Sequence, residues 1–262
     1  MELCLTYDMR TPDFGATRNR LYDAALDQVA WADDLGFDLV GLGEHHGSED
    51  GYNPSPLILA SAMAARTRNL KIRTSVLLAP LYDLPKLAED AAVTQTISNG
   101  RLLLGIGAGY RPSEFETFGR DLKDRWKFMG ETCQFLRLAW TGEPFEWQGR
   151  RCHITPAPEP GPPPILLGGS SPAAARRAAH IADDWFPHWM LASGHRTGMS
   201  ALPLAKLILA PTRRRALYFS GFRSTRTKTG SGSIPTCVTN LPLTAPGHER
   251  PSAKLQGPMR AA

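Results

Sequence analysis

The stretch FDLVGLGEHH, residues 37–46, begins as an apolar run through Phe37, Leu39, Val40 and Leu42 and breaks into Glu44, His45 and His46. A run of this kind suits a parallel strand whose carboxyl end opens onto a site. In α/β barrels and doubly wound sheets alike, chemistry gathers at that end of the sheet. The same residues also suit a strand leading into a polar loop whose histidines face water. The surrounding chain has to separate the two readings.

Upstream, residues 3–7 read as a first strand. Leu21, Ala24, Ala25, Val29 and Ala32 then keep helical spacing across residues 17–35, with Thr17 as N-cap and Gly36 just past the end. Downstream, a loop over 48–53 leads to a helix over 54–67, and a third strand, dense in Ile, Val and Leu, covers 70–78. Pro85 sits in the first turn of a helix running to about residue 98, where its missing N–H costs nothing. A fourth strand covers 102–106, with Gly105, Gly107 and Gly109 in alternation. A long helix follows over 123–140, then a small hairpin over 145–154. A fifth strand over 165–167, a helix to residue 181 and a short strand over 184–187 complete the pattern. Strand and helix alternating in this way make a parallel α/β fold, either a (β/α)8 barrel or an open doubly wound sheet. No glycine-rich phosphate loop follows the first strand, where TYDMRTPDFG stands instead. That favours the barrel, with about six β/α units.

Hydrophobic residues make up 42% of the 262 and charged residues 21%, an ordinary globular balance. Cys4, Cys133, Cys152 and Cys237 have no CxxC spacing, which suggests neither a disulfide framework nor a zinc site and fits a reducing cytoplasm. No apolar stretch reaches the roughly 18 residues of a membrane span. The net charge of +5 is unevenly spread. Residues 192–262 hold 11 Lys/Arg against one acid, a net of +10, and residues 1–191 hold 19 against 24, a net of −5. Such asymmetry signals two kinds of polypeptide.

Four segments resemble the bacterial-luciferase-like flavin or deazaflavin (F420) oxidoreductases, which are (β/α)8 barrels. They are GEHH at 43–46, TSVLLAPLYDLPKLAEDAAVTQTISNGR at 74–101, LLLGIGAGYRPSEFETFG at 102–119 and ILLGGSSPAAARRAAHIADDWFP at 165–187. The resemblance implies a monooxygenase or oxidoreductase acting on a small organic substrate with reduced FMN and O2, or with F420 as the alternative. It makes His45 the catalytic histidine, acting as acid or base, with Glu44 beside it orienting or supporting the loop and His46 as a second candidate. It places Ser75-Val76 at a non-prolyl cis peptide against the ring. Gly107, Gly109, Tyr110 and Glu114 fall at the strand end that meets the cofactor. Gly168, Gly169, Ser170 and Ser171 fall at the turn that holds its phosphate, where helix N–H groups favour an anion. In luciferases an arginine stands where this chain has Ala108, so one phosphate contact is absent. Each position also has a plainer reading: glycines that relieve barrel crowding, serines that cap a helix, a carboxylate at a helix start. A metal site from Glu44, His45 and His46 is not expected, because adjacent residues rarely converge on one ion. The expected partners are a flavin reductase or an F420-reducing enzyme, with a homodimer for the intact family member.

After residue 191 the resemblance ends. Gly, Pro, Ser and Thr make up 29 of the last 71 residues, and periodicity is absent apart from 202–209. Residues 192–262 read as a basic, low-order tail whose tracts resemble a GC-rich gene translated in another frame. The expectation is a change of frame near 190–196. Residues 1–191 would then be an incomplete barrel, exposed at two strand edges, poorly soluble or partly folded, and inactive in this form. Two further readings stand behind the enzyme: a flavin-binding protein without turnover, and last a nucleic-acid contact through the tail, whose only aromatics are Tyr218, Phe219 and Phe222.

Overall fold

The alternation of strand and helix builds one parallel sheet over residues 3–187, the part that a computed structural model of the chain describes. In chain order the elements are β1 (Cys4–Tyr7), α1 (Arg18–Asp34), β2 (Leu39–Leu42), α2 (Pro56–Arg66), β3 (Lys71–Thr74), β4 (Leu77–Leu78) and α3 (Leu84–Ile97). Then come β5 (Leu102–Gly107), α4 (Pro112–Thr117), α5 (Arg125–Ala139), β6 (Phe145–Trp147), β7 (Arg150–Cys152), β8 (Ile165–Gly168), α6 (Pro172–Ile181) and β9 (Asp184–Phe186). The sheet runs β1-β2-β3-β5-β8-β9, every pairing parallel, and β6-β7 is a separate antiparallel hairpin. Each strand adds to the same side of its predecessor. A doubly wound sheet would reverse that order at a switch point; here it never reverses, which is barrel-type winding. Among the described residues β1 and β9 form the two ends and do not pair with each other. The readings made for residues 192–262 lie outside the described residues.

Alternation along the strands sorts the side chains onto two faces. Val40, Leu42 and Ile72 pack outward with Val29, Ala60 and Met63 of α1 and α2. Leu102, Leu104, Ile106, Ile165 and Leu167 pack outward with Leu87, Ala91, Phe135 and Leu136 of α3 and α5. The inward positions carry Gly41, Arg73, Gly105 and Gly107 together with Leu39, Leu103 and Leu166.

The third strand, expected to run unbroken over 70–78, is two strands. β3 pairs Arg73 with Leu103, whereas β4 pairs Leu77 with Ile106, so four steps on one strand face three on the other. The surplus residue forms a bulge at Ser75-Val76, whose peptide is cis. A short 3-10 turn, Ala79–Leu81, follows at once. The helix expected over 123–140 begins at Arg125, because Leu122–Asp124 is a separate 3-10 turn with Asp121 accepting from Lys123 N. The six-residue α4 was too short for its periodicity to show in the sequence.

Two buried polar anchors fasten the outer layer. Asp33, at the end of α1, accepts backbone N–H bonds from Arg68, Asn69 and Leu70. The Arg101 guanidinium donates to Ala64 O, Thr67 O, Thr67 Oγ1 and Leu70 O, closing the carboxyl end of α2. Burial pushes the Asp33 carboxyl up, but its three backbone donors outweigh that and hold it below the ordinary 3.8. Its stabilisation is therefore complete above pH 3.8 and lost as pH falls through the lower folded value. Asp33→Asn is expected to cost about 2 kcal/mol at pH 7 and less at pH 3, as urea midpoints at the two pH values will show. An equal cost at both would rule out the charge as its source. Among the described residues no helix is long and apolar enough to cross a membrane.

Candidate functional site

The carboxyl ends of β2, β3–β4 and β5 converge on one cluster, and it is built by the residues that break the three strands. After β2, Glu44, His45 and His46 leave the sheet as a short turn, with His45 N donating to Asn53 O. Asn53 Nδ2 in turn donates to Gly43 O at 2.9 Å, so the loop is stitched to the strand end from both sides.

Glu44 is 3% exposed and its carboxylate is fully engaged. Oε2 accepts from Leu78 N at 2.8 Å, and Oε1 accepts from Tyr82 OH at 2.9 Å and from His46 Nε2 at 2.7 Å. It thus ties the end of β2 to β4 and the turn beyond it. Burial and the Glu44 charge both push the Tyr82 phenol well above its usual value.

His45 points the other way. Its Nδ1 lies 2.8 Å from Glu114 Oε1, and the same oxygen accepts His46 N at 3.0 Å. The network places the imidazole proton on Nδ1 and leaves a lone pair on Nε2. Tyr110 OH faces that lone pair at 3.4 Å. Tyr52 and Tyr110 set their rings edge-on to the imidazole, with centroids 4.7 and 5.7 Å away. Burial lowers the His45 pKa below 6.5; the Glu114 bond and charge oppose this, and Arg111 adds to it. The ring is therefore neutral at pH 7, with Nε2 able to take a proton. Glu114 Oε2 is buried and makes no hydrogen bond among the described residues.

The inward glycines clear space for particular neighbours. A Cβ on Gly43 would meet the Tyr52 hydroxyl at 2.5 Å, and one on Gly105 would clash with Thr74 O. A Cβ on Gly107 would clash with Val76 Cγ2, and one on Gly168 would lie 2.6 Å from Val76 Cγ1. Glycines on β5 and β8 thus accommodate one side chain, so the surface above Gly107 is Val76 rather than bare backbone. Gly109, with φ +71°, sits over the Phe115 ring. Ser75 N donates to Leu42 O at 2.6 Å, which holds the bulge against β2.

The turn after β8 stands apart from the histidine cluster. Gly169 has φ +144°, and Trp185 Nε1 donates to its carbonyl at 2.8 Å. Ser171 Oγ is committed to capping α6, accepting from Ala174 N at 3.1 Å. Ser170 is exposed and keeps its hydroxyl free of hydrogen bonds among the described residues.

Tyr52, Asn53, Tyr82 and Arg111 were not singled out in the sequence. Tyr52 and Asn53 lay in a loop read only as polar, and Tyr82 meets Glu44 across 38 positions, which no local pattern reveals. Among the described residues no group of three or more His, Cys, Asp or Glu could hold a metal ion.

Comparison with known proteins matches residues 9–199 to the family described as luciferase-like monooxygenase. The flavin-dependent trigonelline monooxygenase, oxygenase component, of Acinetobacter baylyi is 30% identical over 164 residues, 60% of this chain and 45% of that protein. The F420-dependent glucose-6-phosphate dehydrogenase of Amycolatopsis mediterranei is 29% identical over 172 residues, 61% of this chain and 51% of that one. Among solved structures, the oxygenating constituent of 3,6-diketocamphane monooxygenase from Pseudomonas putida, in complex with FMN, superposes with a TM-score of 0.61 at 25% identity. That match covers 70% of this chain and 56% of the other. The chain spans about half the length of the curated relatives it matches.

Proposed function

Because the chain belongs to the luciferase-like monooxygenase family, we propose that it carries the cofactor-binding and proton-handling part of an oxidoreductase that uses FMN, with F420 as the alternative. The observation that carries this reading is the His45 imidazole, anchored at Nδ1 by Glu114 at 2.8 Å and met at Nε2 by the exposed Tyr110 at 3.4 Å, at the strand ends that also present Val76. The residues present fit such a group. Val76 and the Ser75 bulge offer an apolar platform for a flat ring, and Ser170 with the start of α6 offers donors for a phosphate. Bound reduced FMN would supply electrons for oxygen insertion into an organic substrate, and F420 would supply a hydride.

The chain's own residues would then manage protons and position. His45 Nε2 takes or returns a proton at the strand end, with Tyr110 OH as its neighbour on the open side. Glu114 holds the tautomer and Glu44 holds the wall. Support for FMN comes from the flavin-dependent relative and the FMN complex, and support for F420 from the dehydrogenase. The relative described as an oxygenase component supports a separate reductase and O2 as partners.

Titration of the full chain with FMN and with F420, followed by absorbance and fluorescence, tests this. Saturable binding of one of them is expected, and binding of neither would remove the reading. Binding without turnover when a flavin reductase, NADH and a panel of organic substrates are added would point to a carrier rather than an enzyme.

A further inference from the structure

Two arginines flank the aromatic wall around His45, and they differ in one respect. Arg10 lies 5.8 Å from the Tyr52 ring centroid and is neutralised by Asp8 at 2.7 Å, with Asp50 at 4.0 Å. Arg111 lies 5.8 Å from the Tyr110 ring centroid and donates from Nη1 to Ser48 Oγ at 3.4 Å. Among the described residues no carboxylate forms an ion pair with it. Of the nearby buried acids, Glu44 is taken up by Leu78, Tyr82 and His46, and Glu114 gives Oε1 to the two histidines while its buried Oε2 pairs with neither them nor Arg111.

The uncompensated charge is felt in the cluster. It lowers the pKa of His45; at Tyr52 burial and then the Asp8 charge raise the phenol to about 12, opposed first by Arg10 and less by Arg111. The Tyr52 hydroxyl stays protonated at pH 7 and makes no hydrogen bond among the described residues. Ring contacts link the part-buried guanidinium to this cluster: Arg111 lies over Tyr110, and the Tyr110 and Tyr52 rings both stand edge-on to His45. Counter-charge is the missing component. A planar guanidinium with parallel N–H groups matches a carboxylate in a two-point contact, whereas an ammonium would offer a single point.

We propose that Arg111 is the anchor for a carboxylate on the substrate, so that the site takes small organic acids. The proposal rests on the oxidoreductase reading for the identity of the ligand as substrate. The carboxylate would pair with Arg111, take a hydrogen bond from Tyr52 OH, and leave the rest of the molecule facing His45 Nε2. A cofactor phosphate is the other anion that a lone arginine could take, and the test separates the two.

Benzoate and benzamide have the same shape and differ in charge. Their affinities for the full chain, measured by calorimetry with and without FMN, are expected to differ about tenfold or more in favour of benzoate. R111M is expected to bring the ratio close to one, and R111K to restore part of it, since it returns the charge without the fork. Should R111M fail to fold by circular dichroism, R111Q takes its place. Equal affinities in the wild type, no binding of either probe, or a ratio unchanged in R111M would each overturn the proposal. FMN and riboflavin are titrated in parallel. R111M is expected to bind both as the wild type does, and a loss of FMN affinity with riboflavin unaffected would make Arg111 a phosphate contact instead. Failure of the wild type to bind FMN or F420 counts against the oxidoreductase reading, while the benzoate ratio still judges the anion site.

Discussion

Glu44→Ala is expected to cost about 4 kcal/mol of folding free energy. The substitution leaves Leu78 N, Tyr82 OH and His46 Nε2 without their acceptor. A buried donor stripped of its partner costs about 1–3 kcal/mol, and water entering beside the part-buried Tyr82 and His46 recovers some of the total. Glu44→Gln keeps the volume and one acceptor, so roughly half the cost is expected. Urea midpoints give the first comparison. The second is the Tyr82 phenol, which burial first and the Glu44 charge next push upward. Glu44→Gln removes that charge, and an earlier onset of phenolate absorbance as the pH is raised is the expected sign of it. A Glu44→Ala protein as stable as the wild type would show that Glu44 is not the support this geometry makes it.

If the proposed oxidoreductase function holds, Glu114→Ala is expected to lower its turnover by about 10²- to 10³-fold while leaving the sheet in place. General acid–base groups contribute on that scale, and an imidazole whose orienting carboxylate is lost forfeits most of it. His45 Nδ1 and His46 N share Glu114 Oε1, so alanine at 114 releases both the ring and the turn. Glu114→Gln is the sharper probe. Its amide oxygen can still accept from Nδ1, but the negative charge that raises the His45 pKa is gone. The His45 pKa, already below 6.5, should move lower still, and the acid limb of the pH–rate profile should move down with it. Nitrogen-15 spectra of His45 report the same pKa and tautomer without any turnover. An acid limb that moves up in Glu114→Gln, or a tautomer untouched in Glu114→Ala, would exclude Glu114 as the residue that positions His45. His45→Ala should lose about as much activity as Glu114→Ala, since the two act as a unit.

Much of this arrangement was legible in the chain because its signals are local. The period-2 and period-3.6 patterns in residues 3–187 and the run of glycines before Tyr110 depend only on neighbours a few positions apart. The outcome at residues 70–78 was not legible for the opposite reason. A run of Ile, Val and Leu reads as one strand, and the surplus residue at Ser75-Val76 exists only in relation to β5. Gly107 and Gly168 likewise read as open backbone until Val76, from a third strand, is seen above both.

Local spacing therefore settled a parallel α/β alternation and the place of GEHH at a strand end, while leaving barrel and doubly wound sheet both open, because helix and strand periods are properties of short windows. The division of labour within GEHH could not be read that way. Glu44 and His45 are adjacent in sequence, yet one turns to Leu78 and Tyr82 and the other to Glu114, 69 positions away. Which neighbour each side chain meets is set by how β2, β4 and β5 come together. That packing makes Glu44 a buried support and leaves the lone pair of His45 facing the open side.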